Sequence, residues 1–355
     1  MPSISPSEGL LAESRLKAGN YKVLLIEDAE SIMLAIRDYL RPFFRLQSAG
    51  GIQEALEAYK AALAENDAFH LVIADINLPD GRAFELVKEM RKLNRHCKYI
   101  LITAYNINFY IETIREHEID QVITKHSQLS LHDIYVTAYK TLTKDIFGLN
   151  KYFKDLHVLF SAEQPGEVVL ENKFLYSTVI RSSQDRDFWS DAVADVFKTQ
   201  AGLSQAISKL VIDEITMNAM VRAPQNDDGS FRYQKRISGR DILVPENKVN
   251  LHPEDYFIFQ YGIYDDWAIF CCQDPQGTLR KKEILYRLKR HLAVTEDTGL
   301  PEGAGDPHGR GIFLLREHLT HLVFNIQRDR KTEIICLYNM KNDLPYKNIS
   351  IYEIE

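Results

Sequence analysis

Cysteine is scarce in this chain: four among 355 residues, at Cys97, Cys271, Cys272 and Cys336. They show no paired metal spacing and no disulfide framework, so a reduced, cytoplasmic setting is expected. Long apolar runs are missing too, and no stretch reaches the roughly 20 residues that a membrane-spanning helix needs. Residues 1–20 hold Pro, Ser and Gly without an apolar centre, which reads as a mobile tail and not as a signal peptide. Positive charge is not in excess. With 43 basic against 50 acidic residues and a net charge of −7, broad nucleic-acid contact loses weight. Internal repeats are lacking as well. What is present, 45% apolar and 26% charged residues, excludes a disordered or fibrous chain. At roughly 150 residues per domain, the length suits two domains.

Residues 21–127 alternate short apolar runs with amphipathic stretches. The runs at 23–26, 46–49, 71–76, 99–103 and 121–124 are rich in Val and Ile and too short for buried helices. Between them, Met33, Ile36 and Leu40 recur at helical spacing, as do Phe84, Val87 and Met90. Five such β-α units predict a doubly wound, five-stranded parallel sheet covered on both faces. Ligands of such sheets sit at the carboxyl ends of the strands.

Those ends carry Glu27 and Asp28 after the first run, Asp75 after the third, Thr103 after the fourth and Lys125 after the fifth. Three converging carboxylates repel one another unless a hard divalent cation lies between them, and Mg2+ suits a few carboxylates plus waters. A lysine and a hydroxyl beside that ion can bind a phosphoryl group.

On these residues, and on the stretch Asp75-Ile76-Asn77-Leu78-Pro79-Asp80-Gly81 with Thr103-Ala104, the chain from 21 to about 144 resembles the receiver domain of response regulators. The resemblance implies that Asp75 accepts a phosphoryl group from a phosphohistidine donor, a histidine kinase or phosphotransfer protein. It implies that Glu27, Asp28, Asp75 and the Asn77 carbonyl hold Mg2+, and that Thr103 and Lys125 bind phosphoryl oxygens. Two positions depart from the family pattern. His126 stands where Pro usually follows the lysine, and Val122 where an aromatic usually precedes it; Tyr105 is a candidate substitute for that aromatic.

Residues 129–153 read as one linker helix, with a break at Gly148 as the alternative, and without a Pro- or Gly-rich hinge, joining the halves semi-rigidly. Beyond it, 187–200 and 204–223 read as helices, 223–230 as a turn-rich loop, 256–263 and 267–273 as strands, 278–291 and 312–320 as helices, and 321–327 with 332–338 as a hairpin. Clustered helices with clustered antiparallel strands predict a two-layer α+β sandwich over 154–355.

Three segments of this half carry chemistry. Glu214 and Asn218, four apart, share one helix face; a carboxylate there can orient an attacking group and an Asn can ligate Mg2+ on a triphosphate. Asp274, in Asp274-Pro275-Gln276-Gly277-Thr278, ends a strand and can accept from an adenine amino group. Gly309-Arg310-Gly311 closes a glycine-rich turn that opens a helix, where backbone N–H groups can meet phosphates. In this order, over 154–339, they resemble the GHKL (Bergerat-type) ATPase fold, and most nearly its anti-sigma-factor kinases. The resemblance implies Glu214 as base, Asn218 as Mg2+ ligand, Asp274 for adenine, Gly277 in the nucleotide-binding turn, and Gly309, Arg310 and Gly311 for the phosphates of ATP. The second motif departs from Asp-x-Gly-x-Gly, with Gln276 and Thr278 at the glycine positions, and Arg222 stands where His is common.

Together these features imply a phosphorylation-controlled regulator, a homodimer through its linker helix, whose ATP-binding output phosphorylates or sequesters a partner protein, as in sigma-factor pathways. Two alternatives stay open. One is a non-catalytic binding or dimerisation module with a degenerate nucleotide pocket. The other is a histidine-kinase-like enzyme in which His132, before Asp133 on a helix, takes the phosphoryl group; Ser130 and Asp133 also make an ordinary helix start. The basic residues Arg280, Lys281, Lys282, Arg287, Lys289 and Arg290 read as a solvated helix face, without the interleaved aromatics of a nucleic-acid surface.

Overall fold

A computed structural model describes residues 19–104, 114, 116–125, 130–160, 170–236, 243–245, 248–290, 311–341 and 348–355. The chain divides into two compact units: Met1–Asp155 with Asn348–Tyr352, and Leu156–Lys347 with Glu353–Glu355. Among the described residues no helix is long and apolar enough to cross a membrane.

The first unit is built on β1 (Lys22–Ile26), β2 (Arg45–Ala49), β3 (Leu71–Asp75), β4 (Lys98–Thr103) and β5 (Gln121–Thr124). They form one parallel sheet in the order β2-β1-β3-β4-β5. Its central strands are largely buried on both faces, which is why they read as near-continuous apolar runs. Three helices between strands are described: α1 (Glu30–Leu40), α2 (Ile52–Ala64) and α3 (Ala83–Leu93).

The helix after β5 corrects one expectation. In place of a single helix over 129–153, α4 covers Leu131–Thr143. Ser130 caps it by accepting from the Asp133 N–H, and Lys144, in the left-handed conformation at φ 60°, ends it. Its Ile134, Tyr135, Val136, Ala138 and Tyr139 belong to the same core as Val23, Leu25, Ile36 and Ile100. Burying that face stabilises α4 as part of this unit, because about 25 cal/mol is gained per Å2 of apolar surface removed from water.

The far end of the chain also enters this unit. Gln121 on β5 donates from Nε2 to the Ile351 carbonyl (2.7 Å) and accepts from the Ile351 N–H (3.3 Å). The Asn348 Oδ1 accepts from both the N–H and the hydroxyl of Thr124. Lys140, almost fully buried, donates to the Tyr152 hydroxyl (2.9 Å) and sits 4.1 Å from the centre of the Tyr352 ring.

The second unit holds β6 (His157–Phe160), β7 (Phe174–Ile180), α5 (Ser183–Ala201), α6 (Gln205–Met217), β8 (Phe257–Tyr264), β9 (Trp267–Asp274), α7 (Lys281–Arg290), α8 (Gly311–His318), β10 (His321–Gln327) and β11 (Lys331–Asn339). Within this unit the strands run in the order β10-β11-β9-β8-β7-β6, antiparallel except for the parallel pair β6 and β7. α5 packs on the sheet through aromatic rings: Phe197 lies 4.7 Å from Phe270, and Trp189 lies 6.2 Å from Tyr261. Mixed sheet plus helices is the α+β arrangement that the clustering of elements predicts. Strands β6 and β7 escape a reading based on alternation. Cys271 and Cys272, both buried and adjacent on β9, point to opposite faces.

Candidate functional site

The first site is assembled at the carboxyl ends of β1, β3, β4 and β5. Glu27, Asp28 and Asp75 each present an oxygen, and these lie within 4.8 Å of one another. Glu27 is 1% exposed, while Asp28 is open to solvent. Burial raises the Glu27 carboxyl above its ordinary value, against the pull of the Lys125 ammonium. Lys125 Nζ donates to Glu27 Oε2 (2.8 Å) and to Asp75 Oδ2. Burial works to lower that ammonium, but the two carboxylates outweigh it and hold it above its usual range. Three carboxylates against one ammonium leave a negative, oxygen-rich cluster of the kind a hard divalent cation takes, so the donor set fits Mg2+.

The loop beyond Asp75 is fixed from two sides. The Asn77 N–H donates to Asp75 Oδ1 (3.2 Å), and Asn77 pairs with Arg82 in a two-residue ribbon. Asp80 accepts from the N–H groups of Ile52 (2.9 Å) and Gln53 (3.0 Å), tying the loop to the start of α2. Those two bonds lower the Asp80 carboxyl below its ordinary value. Gly81, at φ 147°, makes the turn that a side chain would strain. Thr103 ends β4 fully buried, and its carbonyl accepts from the Lys125 N–H. Tyr105 and His126 lie outside the described residues.

The profile of the family described as "Response regulator receiver domain" matches residues 23–134. Those residues are a response regulator receiver domain. The receiver is 30% identical over 117 residues to the response regulator protein FleR of Pseudomonas aeruginosa, a match of 32% of this chain and 23% of that protein. The chain thus spans under a quarter of the curated relative it matches. Similar solved structures include a CheY-like receiver domain protein from Methanospirillum hungatei JF-1 (24% identity, 35% of this chain, 94% of that chain, TM-score 0.31). The non-phosphorylated HemR receiver domain from Leptospira biflexa gives the same four values. Response regulator TrrA from Thermotoga maritima, in complex with Mg2+ and BeF, gives 23%, 34%, 98% and 0.29.

His132 lies beside this receiver core and not on an open face. Its Nδ1 is 3.2 Å from the Tyr39 hydroxyl and its Nε2 is 2.9 Å from the Lys151 carbonyl. Burial lowers its pKa. Both ring nitrogens are therefore engaged, and neither is presented to a phosphoryl donor.

The second site is a small cavity in the second unit, about 70 Å3. That is well below the roughly 300–1,000 Å3 usual for small-molecule sites. Asn218, Arg222, Asp274, Thr278, Arg287 and Thr332 are among its lining residues, so the structure brings Asn218 and Asp274 to one space from segments 56 residues apart. A π-turn over Asn218–Arg222, closed by the Ala223 N–H on the Asn218 carbonyl, ends α6 at this wall. Asp274 sits at the end of β9, 6% exposed. Its Oδ1 accepts from the N–H groups of Gln276 (3.0 Å) and Gly277 (3.1 Å). Burial outweighs those bonds and pushes its carboxyl up to about 6.

Gly277 has φ 61°, and a side chain there would lie 2.2 Å from the Gln327 carbonyl oxygen. This turn needs its glycine at 277. Glu214 stands on α6 against the start of α8: a Cβ on Gly311 would fall 1.7 Å from Glu214 Oε2. Gly309 and Arg310 lie outside the described residues. Gly311→Ala has to displace the Glu214 carboxylate, the free end of a flexible side chain, so we expect it to cost the second unit no more than about 1 kcal/mol, about 2–4 °C in Tm. Differential scanning calorimetry reads this, and an unchanged Tm would mean that Glu214 yields freely.

Sequence reasoning missed Thr332 and Arg287 as members of this cavity. Thr332 is opposite Asp274 in the β9–β11 register; it is buried, and its hydroxyl works to lower the Asp274 carboxyl. No local pattern signals Thr332, because two helices and a further strand separate it from Asp274 along the chain.

Proposed function

We propose that the chain is a two-component response regulator in which phosphorylation of Asp75 by a phosphohistidine donor controls a GHKL-like, adenine-nucleotide-binding output unit. The observation that carries the output reading is the cavity that joins Asn218 to the buried carboxylate of Asp274. Three further features support it: the backbone-held turn at Gly277, the glycine of Gly311 against Glu214, and the hydroxyl of Thr332 beside Asp274. Adenine would give its amino N–H to Asp274, and Glu214 would orient a partner's hydroxyl. The output is phosphorylation or sequestration of a partner protein of the anti-sigma-factor kinase kind.

Phosphorylation places about two negative charges beside Lys125, which now bridges Glu27 and Asp75. The lysine must redistribute its bonds, and the strand end carrying Thr103 is the nearest element to respond. The test is calorimetric titration of ATP with and without beryllofluoride as a mimic of phosphorylated Asp75. Micromolar binding that beryllofluoride shifts is the expected result. Absence of ATP binding in both states would remove the nucleotide reading and leave a binding module switched by the receiver alone.

A further inference from the structure

Arg222 occupies the place where a cation on Asn218 would sit. Its Nη1 donates to Asn218 Oδ1 (2.7 Å) and lies 3.7 Å from Glu214 Oε2. The Asn218 amide is held at its other end, where Nδ2 donates to the Glu214 carbonyl (2.7 Å). The amide oxygen is thus directed at the guanidinium. The π-turn favours this pairing, since Asn218 and Arg222 both reach the cavity from one widened helical turn.

The donor set for a divalent ion is poor here. Of the carboxylates near Asn218, Glu214 is pressed against Gly311 and faces Arg222. Glu283 is paired with Arg287, and Asp274 serves the turn at Gln276 and Gly277. A hard ion needs several oxygens at once, and seating one on Asn218 would require a largely desolvated guanidinium to leave both of its partners. These residues do not fit Mg2+.

They fit an anion. Arg222 and Arg287 both line the cavity, and a guanidinium offers a fork of N–H donors that matches phosphoryl oxygens. Building on the nucleotide reading above, we propose that Arg222 is the built-in counter-cation of this site, so that it takes the phosphates of an adenine nucleotide without a divalent metal.

The experiment compares ATP affinity of the full chain in EDTA and in saturating Mg2+, for the wild type, Arg222→Met and Arg222→Lys, with circular dichroism as the fold control. The wild type is expected to bind within about twofold in the two conditions. Arg222→Met should bind at least about tenfold more weakly in EDTA, and Arg222→Lys should fall between them, as expected for losing one charge-assisted contact. Loss of wild-type binding in EDTA with retention in Mg2+ overturns this inference and leaves the nucleotide pocket standing. Equal affinities of wild type and Arg222→Met in EDTA also overturn it. No wild-type binding in either condition overturns both the inference and the pocket on which it rests.

Discussion

Asp75→Asn is expected to take up no phosphoryl group from acetyl phosphate or from a phosphohistidine donor. On the proposed reading a carboxylate oxygen of Asp75 would attack phosphorus, the bond from phosphorus to the donor's nitrogen or oxygen would break, and an acyl phosphate would form. A carboxamide has no such nucleophile, so labelling should drop at least about a hundredfold. Asn fills the same volume and can still accept from the Asn77 N–H through Oδ1, so the loop should stay in place. The contact that changes is the one with Lys125, whose ammonium would retain Glu27 at 2.8 Å and lose an ionic partner in Asp75. Hydroxylamine-labile label on the wild type and none on Asp75→Asn, by phosphate-affinity electrophoresis, is the readout. Undiminished label on the variant would move the acceptor elsewhere. His132 is a poor second choice, with both nitrogens already engaged.

Asp274→Asn should weaken ATP binding by about 10–100-fold, the size of a hydrogen bond to a charged group. Asp274 Oδ1 is committed to the Gln276 and Gly277 N–H groups, so Asn keeps the turn but turns an N–H toward the adenine amino group, donor against donor. The same carboxyl, with its pKa near 6, gives the binding a pH dependence. On the proposed nucleotide reading, the anion would accept from adenine above that value; below it the protonated group would accept less well. Wild-type affinity should therefore fall as pH is lowered from 8 to 5, and the Asn variant should be flat. The stability linkage has the opposite sense. A carboxyl whose folded pKa is raised from about 4 to about 6 favours the folded unit in acid, and that contribution is lost as pH rises from 4 through 6. Asp274→Asn should thus be no less stable than wild type at pH 8 despite its weaker binding. A variant that binds ATP as the wild type does, with the same pH profile, would exclude Asp274 from the adenine site.

The acidic cluster of the receiver was legible in the sequence for a physical reason. A parallel sheet brings all its strand ends to one edge, so short apolar runs followed by Glu27-Asp28, Asp75, Thr103 and Lys125 are already a three-dimensional statement. The pair Glu214 and Asn218 was legible because helical periodicity fixes neighbours four apart. Tertiary structure decided the rest. Helix α4 looks like a free connector in sequence, and only the core with Val23, Ile36 and Ile100 makes it part of the first unit. The strand residues Asn348–Tyr352 meet Gln121 and Thr124 from more than 220 positions away, a pairing no local pattern encodes. Thr332 reaches Asp274 through sheet register, and Glu214 meets Gly311 because two distant helices cross there. Arg222 shows the boundary most clearly. Its spacing from Asn218 is a property of the chain, but the partner to which its charge is given depends on a widened helical turn and on a buried wall that only folding supplies.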